Sequence, residues 1–243
     1  MSLSGVMDVG RHLLRPPPLT VLMVVLTVVT GLIEAVSLLA LGPVFTAMQT
    51  GNVLFLAFGT ARQGNLPALA PAVSLAAFAV GAVCGARLEA TSEARGRRWF
   101  VTGLAIEAGL MLVAAGVGWG VAPRYGQPTV RHMAVAALLA TSMGMRNVTS
   151  MRVNVPGLPT TLVTRSMTFL LAGSALGRDG ALGYGTAAWV PRAVAVTAMF
   201  TGGLAGALLV RADWPVNWLL LPPATAVLAV ALAYLPQPPL HRL

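Results

Sequence analysis

The chain contains no lysine and a single cysteine, and charged residues make up only 9% of its 243 positions. A soluble globular domain is nearer 25% charged. That shortage excludes a soluble enzyme. The lone Cys84 excludes an intrachain disulfide scaffold. Three histidines, His12, His132 and His241, sit at the ends of apolar runs or in tails. With no His-Glu-x-x-His, cysteine cluster, Walker loop or Gly-x-Ser-x-Gly, no catalytic constellation is present. The expectation is a non-enzyme without a cofactor.

What is abundant is apolar sequence. Hydrophobic residues reach 56% and the mean hydropathy is +0.78. About 20 apolar residues are needed to cross the ~30 Å hydrocarbon core of a bilayer as helix. Six runs have that length: Leu19 to Leu41, Leu66 to Ala86, Trp99 to Val121, Met133 to Met151, Ala187 to Val210, and Trp214 to Leu235. Two shorter runs are broken by polar residues: Val44 to Gly59 at Gln49-Thr50-Gly51-Asn52, and Leu158 to Leu176 at Thr164-Arg165-Ser166. Backbone that leaves helical geometry in lipid must be shielded by protein or line a cavity. These two runs are therefore expected to be re-entrant or broken helices. Trp99, Trp119, Trp189, Trp214, Trp218, Tyr125, Tyr184 and Tyr234 fall near span ends, where amphipathic rings collect at the interface.

The net charge is +9, carried by 16 arginines. They are scattered between apolar runs rather than clustered with aromatics, so nucleic acid is not the expected partner; the lipid bilayer is. Arginine excess marks cytoplasmic loops. Arg87, Arg95, Arg97 and Arg98 form the strongest such loop, and Arg11 and Arg15 mark the N-terminus. Both face inward if Val44 to Gly59 does not cross fully. Arg152, Arg178 and Arg242 then also lie inside, and Arg62, Arg124, Arg131 and Arg211 outside. An eight-span arrangement is the alternative.

The two interrupted runs are related. Gly31, Glu34, Ser37 and Pro43 match Gly144, Asn147, Ser150 and Pro156 at a spacing of 113 residues. After one inserted residue, Thr46, Thr50 and Phe55 match Thr160, Thr164 and Phe169. Further on, Gly81-x-x-x-Gly85 corresponds to Gly202-x-x-x-Gly206. The expected organisation is a cytoplasmic tail (1–18), a first membrane repeat (19–122), a second (131–235) and a C-terminal tail (236–243). With three crossings per half the second repeat is inverted, as in many secondary transporters. The fold expected is all-α and polytopic: about six transmembrane helices, two short re-entrant or broken helices, and two pseudo-symmetric inverted repeats.

Glu34 through Phe45-Thr46 to Thr50-Gly51-Asn52, with Gly144-Met-Arg146-Asn147 and Pro159-Thr160-Thr161-Leu-Val-Thr164 in the second half, resembles the signature of the YoaK-like bacterial membrane proteins. That family carries a domain of unknown function. The resemblance spans most of the chain and implies a bacterial inner-membrane protein with no assigned activity; the arginine count of the six-span arrangement puts both termini in the cytoplasm. The family more often has Asp at Glu34 and Gly at Arg165.

A charge at the bilayer centre costs about 2.5–3.5 kcal/mol on insertion scales. Glu34 must therefore be protonated, paired with Arg146 or Arg165, or facing water. Arg146 and Arg165 offer planar forks suited to carboxylate or phosphate, or snorkel to the interface. Gln49, Thr50, Asn52, Asn147 and Thr164 supply hydrogen bonds to a solute or to exposed backbone. Glu107, about two turns from a span end, is expected to reach the cytoplasmic interface. The expected substrate-binding set is Glu34, Gln49, Thr50, Asn52, Arg146, Asn147, Thr164 and Arg165, with no metal site. The expected function is a small secondary transporter or permease for a small, anionic solute, coupled to protons. The alternatives are a passive channel, built as a homodimer, and a non-transport membrane partner or assembly protein.

Overall fold

A computed structural model describes residues 19–64, 66–155, 163–172 and 186–240. The N-terminal tail with Arg11 and Arg15, the segment holding Pro156, Pro159, Thr160 and Thr161, and Arg178, Tyr184 and Arg242 lie outside the described residues. The described residues form eight helices and no strand. They are α1 (Leu19–Ala40), α2 (Gln49–Thr60), α3 (Leu69–Ala94), α4 (Trp99–Val117), α5 (Val130–Val153), α6 (Val163–Ala172), α7 (Thr186–Arg211) and α8 (Val216–Tyr234). This is the fold of a polytopic membrane protein. Large apolar side chains such as Leu54, Val80, Leu112, Phe200, Leu204 and Leu232 are exposed. So large an apolar exterior is covered by lipid.

Five helices are long and apolar enough to cross a membrane: α1, α3, α4, the Trp189–Arg211 part of α7, and α8. The sixth long helix, α5, has 24 residues, about 36 Å at 1.5 Å per residue, but it is more polar. Its arginines are internally engaged. Arg131 donates to the carbonyls of Val117 (2.8 Å) and Trp119 (2.7 Å) at the end of α4, and Arg146 and Arg152 meet glutamates. The 12 residues of α2 span only about 18 Å, too short to cross; of α6, ten residues are described.

The helices stop where the sequence offers a left-handed residue. α3 ends at Gly96 (φ 64) and α5 at Asn154 (φ 47), residue types that adopt this conformation most cheaply. α3 runs two turns beyond the apolar stretch ending at Ala86, because Glu89 and Ser92 turn inward and are buried.

Two helix pairs interlock through glycine. A Cβ on Gly31 of α1 would collide with the backbone of Met199 and Gly203 of α7. One on Gly202 would strike Val28, and one on Gly206 would lie 2.7 Å from the Leu32 carbonyl oxygen. α3 and α5 lock the same way. Gly81 faces the Thr141 backbone, Gly85 faces Met145, and Gly144 faces Phe78 and Ala82. Small residues let backbones approach this closely. In both pairs residue numbers rise together, so the partners run parallel. α4 and α8 run antiparallel, with Phe100 edge-on to Tyr234 at 4.8 Å at one end and Gly118 against Val216 at the other.

These contacts define two ends. At one, Arg98 donates to the carbonyls of Leu235 and Gln237 (2.6 Å to the latter), and Arg152 pairs with Glu93. At the other, the Arg124 amide donates to the Ala40 carbonyl (2.9 Å) and the Val216 amide to that of Val121 (3.2 Å). Trp119, Tyr125, Trp214, Trp218 and Trp189 are exposed near helix ends as expected of an interfacial belt. Trp99 and Tyr234 are not: both are buried. The Trp99 indole donates to the Leu240 carbonyl (3.0 Å) and the Tyr234 hydroxyl to that of Pro238 (3.2 Å). They fasten the C-terminal segment to the bundle.

Candidate functional site: a carboxylate-held loop and buried ion pairs

After α1 the chain doubles back on itself. The amides of residues 46–48 meet the Glu34 side chain, and α2 follows, ending with Gly59 against Ala68 just before α3. The Glu34 carboxylate fixes this return. Its Oε1 accepts from the amides of Thr46 (2.9 Å) and Ala47 (2.7 Å) and from the Thr46 hydroxyl (2.6 Å), and Oε2 accepts from the Met48 amide (3.2 Å). The amides before α2 would otherwise lack partners, and an anion there also favours the positive end of the helix dipole. Glu34 is buried, and no arginine lies within ion-pair distance of it among the described residues. The pairing with Arg146 or Arg165 considered from sequence is therefore replaced by one with backbone.

The Thr50-Gly51-Asn52 run completes the lock. Asn52 is fully buried. Its Oδ1 accepts from the Phe45 amide (2.9 Å), and its Nδ2 donates to the Phe45 carbonyl (2.6 Å) and Gln49 Oε1 (2.8 Å) and lies 3.1 Å from the Ser74 hydroxyl of α3, which donates to the same Phe45 carbonyl (2.6 Å). Gln49 Nε2 donates to the Thr46 carbonyl (2.7 Å). Gly51 leaves room for the Phe45 ring, which a Cβ would approach to 2.6 Å. That ring stacks on Phe55 at 5.6 Å. Thr50 is exposed. Glu34, Gln49 and Asn52 thus meet in one place, and their polar atoms are spent on the loop's own backbone and on one another.

Arg146 lies elsewhere. It is the largest fully buried side chain among the described residues. It pairs with Glu107 of α4, whose Oε2 accepts from Nε at 2.8 Å and whose Oε1 accepts from the second guanidinium nitrogen. The remaining nitrogen donates to the Leu26 carbonyl of α1 (2.9 Å). Both alternatives drawn from sequence are corrected here: Arg146 does not snorkel and Glu107 does not reach the interface. A bidentate pair is the cheapest way to bury two such charges. It joins α1, α4 and α5 at one point.

A second acidic cluster was not singled out from sequence. Glu89 of α3 is fully buried. Thr149 of α5 contacts its Oε1, and Arg152 approaches its Oε2 to 3.7 Å. Arg152 pairs with Glu93 and lies 4.7 Å from the centre of the Trp99 ring. The available signal was the 89/93 spacing of acids against Arg152.

In the second half, Asn147 is half-buried and its Nδ2 lies 4.0 Å from Met151 Sδ. Thr164 and Arg165 are exposed on α6. The Arg165 guanidinium lies 5.3 Å from the Phe169 ring centre. Arg192 of α7 covers the same ring at 4.9 Å and donates to the Phe169 carbonyl (3.1 Å). Among the described residues no group of three or more His, Cys, Asp and Glu is arranged to hold a metal ion.

Comparison with known proteins fits this architecture. The chain is 24% identical over 153 residues to the UPF0700 transmembrane protein YoaK of Bacillus subtilis (strain 168), covering 62% of this chain and 64% of that protein. The match thus spans less than two thirds of the relative's length. No solved structure gives a significant match. The model of the family described as "Protein of unknown function (DUF1275)" matches residues 22–233. A chain matched over nearly all its helices, in a bundle whose signature residues hold its central loop, belongs to that family of integral membrane proteins of unknown function.

Proposed function

We propose that the protein is a small secondary permease of the bacterial inner membrane, built from two inverted repeats and carrying a small anionic solute. One observation carries this reading: the glycine contacts are reciprocal. Moving from α1 to α5 by 113 positions and from α3 to α7 by 121 turns each contact into another. Gly31 against Met199 and Gly203 becomes Gly144 against Phe78 and Ala82, and Gly202 against Val28 becomes Gly81 against Thr141. Each half thus lends a helix to the other. Inverted repeats interlocked around broken helices suit alternating access by rocking.

The solute class follows from how the halves differ. In the first half Glu34 fills the amide nest before α2. In the second, neutral Asn147 holds the matching position, and Arg165 replaces Gly51. By sequence, the second half therefore lacks the internal anion and gains a cation. An exposed arginine on the short helix of this half favours a carboxylate or phosphate group. Glu34 acts as a latch in this mechanism rather than as a solute ligand. Protonation would remove the charge that gathers residues 46–48 and would loosen α2.

Six crossings put Arg87, Arg95, Arg97, Arg98 and Arg152 at one end and Arg62, Arg124, Arg131 and Arg211 at the other. The first end is then cytoplasmic, together with both termini.

The test is counterflow in proteoliposomes loaded with phosphate, sulfate or small carboxylates. Saturable exchange that disappears in Arg165→Ala supports the reading. Conductance without counterflow points to a channel. The internal satisfaction of Glu34, Asn52 and Arg146 favours a second reading, a structural partner in the membrane. Folded protein without any flux would support that instead.

A further inference from the structure

We propose that Glu89, between Thr149 and Arg152 at the arginine-rich end of the bundle, is a proton-binding site with two defined hydrogen-bond states. Its Oε2 is buried without a hydrogen-bond partner, although Arg152 stands 3.7 Å away. An ionised carboxylate with an orphaned oxygen is costly to bury; a neutral carboxyl is far less so. The surrounding bonds fit the neutral acid. Thr149 Oγ1 touches Glu89 Oε1 and also lies 3.2 Å from the Met145 carbonyl oxygen. A hydroxyl has one proton to donate, so it cannot serve both acceptors. With a proton on Oε1, Glu89 donates to Thr149 and Thr149 donates to Met145, and both contacts are satisfied.

When that proton leaves to solvent, the Thr149 hydroxyl turns to Oε1 and Arg152 closes on Oε2. Arg152 is always charged and is shared by two acids one turn apart on α3. Proton loss at Glu89 draws it inward, and proton binding returns it to Glu93. Among the described residues, the charge of Glu107 of α4 also acts on Glu89, and Glu107 is itself paired with Arg146 of α5. α2, which also packs on α3, carries no titratable side chain. Gly103 of α4 gives the carboxyl its space, since a Cβ there would lie 3.1 Å from Oε1. Trp99, beneath Arg152, is a built-in reporter of the exchange.

As the coupling ion of the permease this proton rests on the transport reading; as a bound proton it does not. The experiment therefore uses protons alone. The full-length protein in lipid nanodiscs, without solute, is followed by infrared difference spectroscopy across a pH titration. Trp99 fluorescence is followed in a variant whose other four tryptophans are phenylalanine. The expected result is a protonated-carboxyl band that vanishes in Glu89→Gln, and a Trp99 change with the same midpoint that vanishes with it. Thr149→Val should keep the band but shift its frequency. A band and Trp99 change that persist in Glu89→Gln overturn the proposal. So does the absence of any titration over the range in which the protein stays folded. If Glu89→Gln fails to fold, a band unmoved in Thr149→Val overturns it equally. Failed counterflow beside a Glu89 titration would reject the permease and leave the site. Counterflow without that titration would do the reverse.

Discussion

Removing Glu107 alone should damage the protein more than removing the whole Glu107–Arg146 pair. In Glu107→Ala the Arg146 guanidinium stays charged and fully enclosed. It loses both carboxylate bonds and keeps its bond to the Leu26 carbonyl. Two charge-assisted bonds at about 1.5–3 kcal/mol each and the usual cost of breaking a buried pair, about 3–5 kcal/mol, agree on the scale. The combined Glu107→Leu and Arg146→Met variant removes both charges and fills similar volume. Such replacements run from neutral to about 1–4 kcal/mol stabilising. The assay is reversible unfolding of purified protein in mixed micelles, followed by helical circular dichroism. A loss below about 1 kcal/mol in Glu107→Ala, or a double variant as unstable as the single, would refute the burial argument. A stable double variant that loses flux would assign the pair to function rather than to folding.

Two further outcomes follow from the same contacts. Glu34→Ala removes the acceptor for three loop amides, so amide hydrogen exchange at residues 46–48 should rise at least tenfold, one decade per ~1.4 kcal/mol; Glu34→Gln, which keeps one carbonyl oxygen, should give a smaller rise, and unchanged exchange in both would remove the latch. Gly202→Ala forces α1 and α7 apart at Val28 and should cost several kcal/mol, whereas Gly109→Ala, with nothing within 4 Å of the added carbon, should be neutral or gain up to about 1 kcal/mol. Equal unfolding midpoints for the two alanine variants would contradict the interlock.

The long helices were legible because a bilayer demands uninterrupted apolar length. α1 ends at Ala40, one residue before the expected Leu41, and α4 begins at the expected Trp99. The short α2 was legible as a polar interruption, although the polar residues start the helix rather than break it. Partners were not legible. Depth along a helix follows from residue number, but the direction a side chain faces does not. Arg146 could be assigned to Glu34 from sequence, while the bundle turns it to Glu107. Glu89 escaped for a related reason. It lies past the apolar run of α3, where hydropathy predicts a wet loop, yet the face it occupies is covered by α4 and α5. Trp99 was read from its position at a span end, and packing against Arg152 and Leu240 buries it instead.

Sided cysteine labelling tests the inverted, interlocked arrangement most directly. In a Cys84→Ala background, single cysteines at Arg62, Arg124, Arg97, Gln237 and Ala172 are treated with a membrane-impermeant maleimide from either face. Two inverted halves of three crossings predict labelling of positions 62 and 124 from the outer face, and of 97, 237 and 172 from the inner face. Labelling of 62 and 172 from the same side would contradict inversion, and with it the permease built upon it.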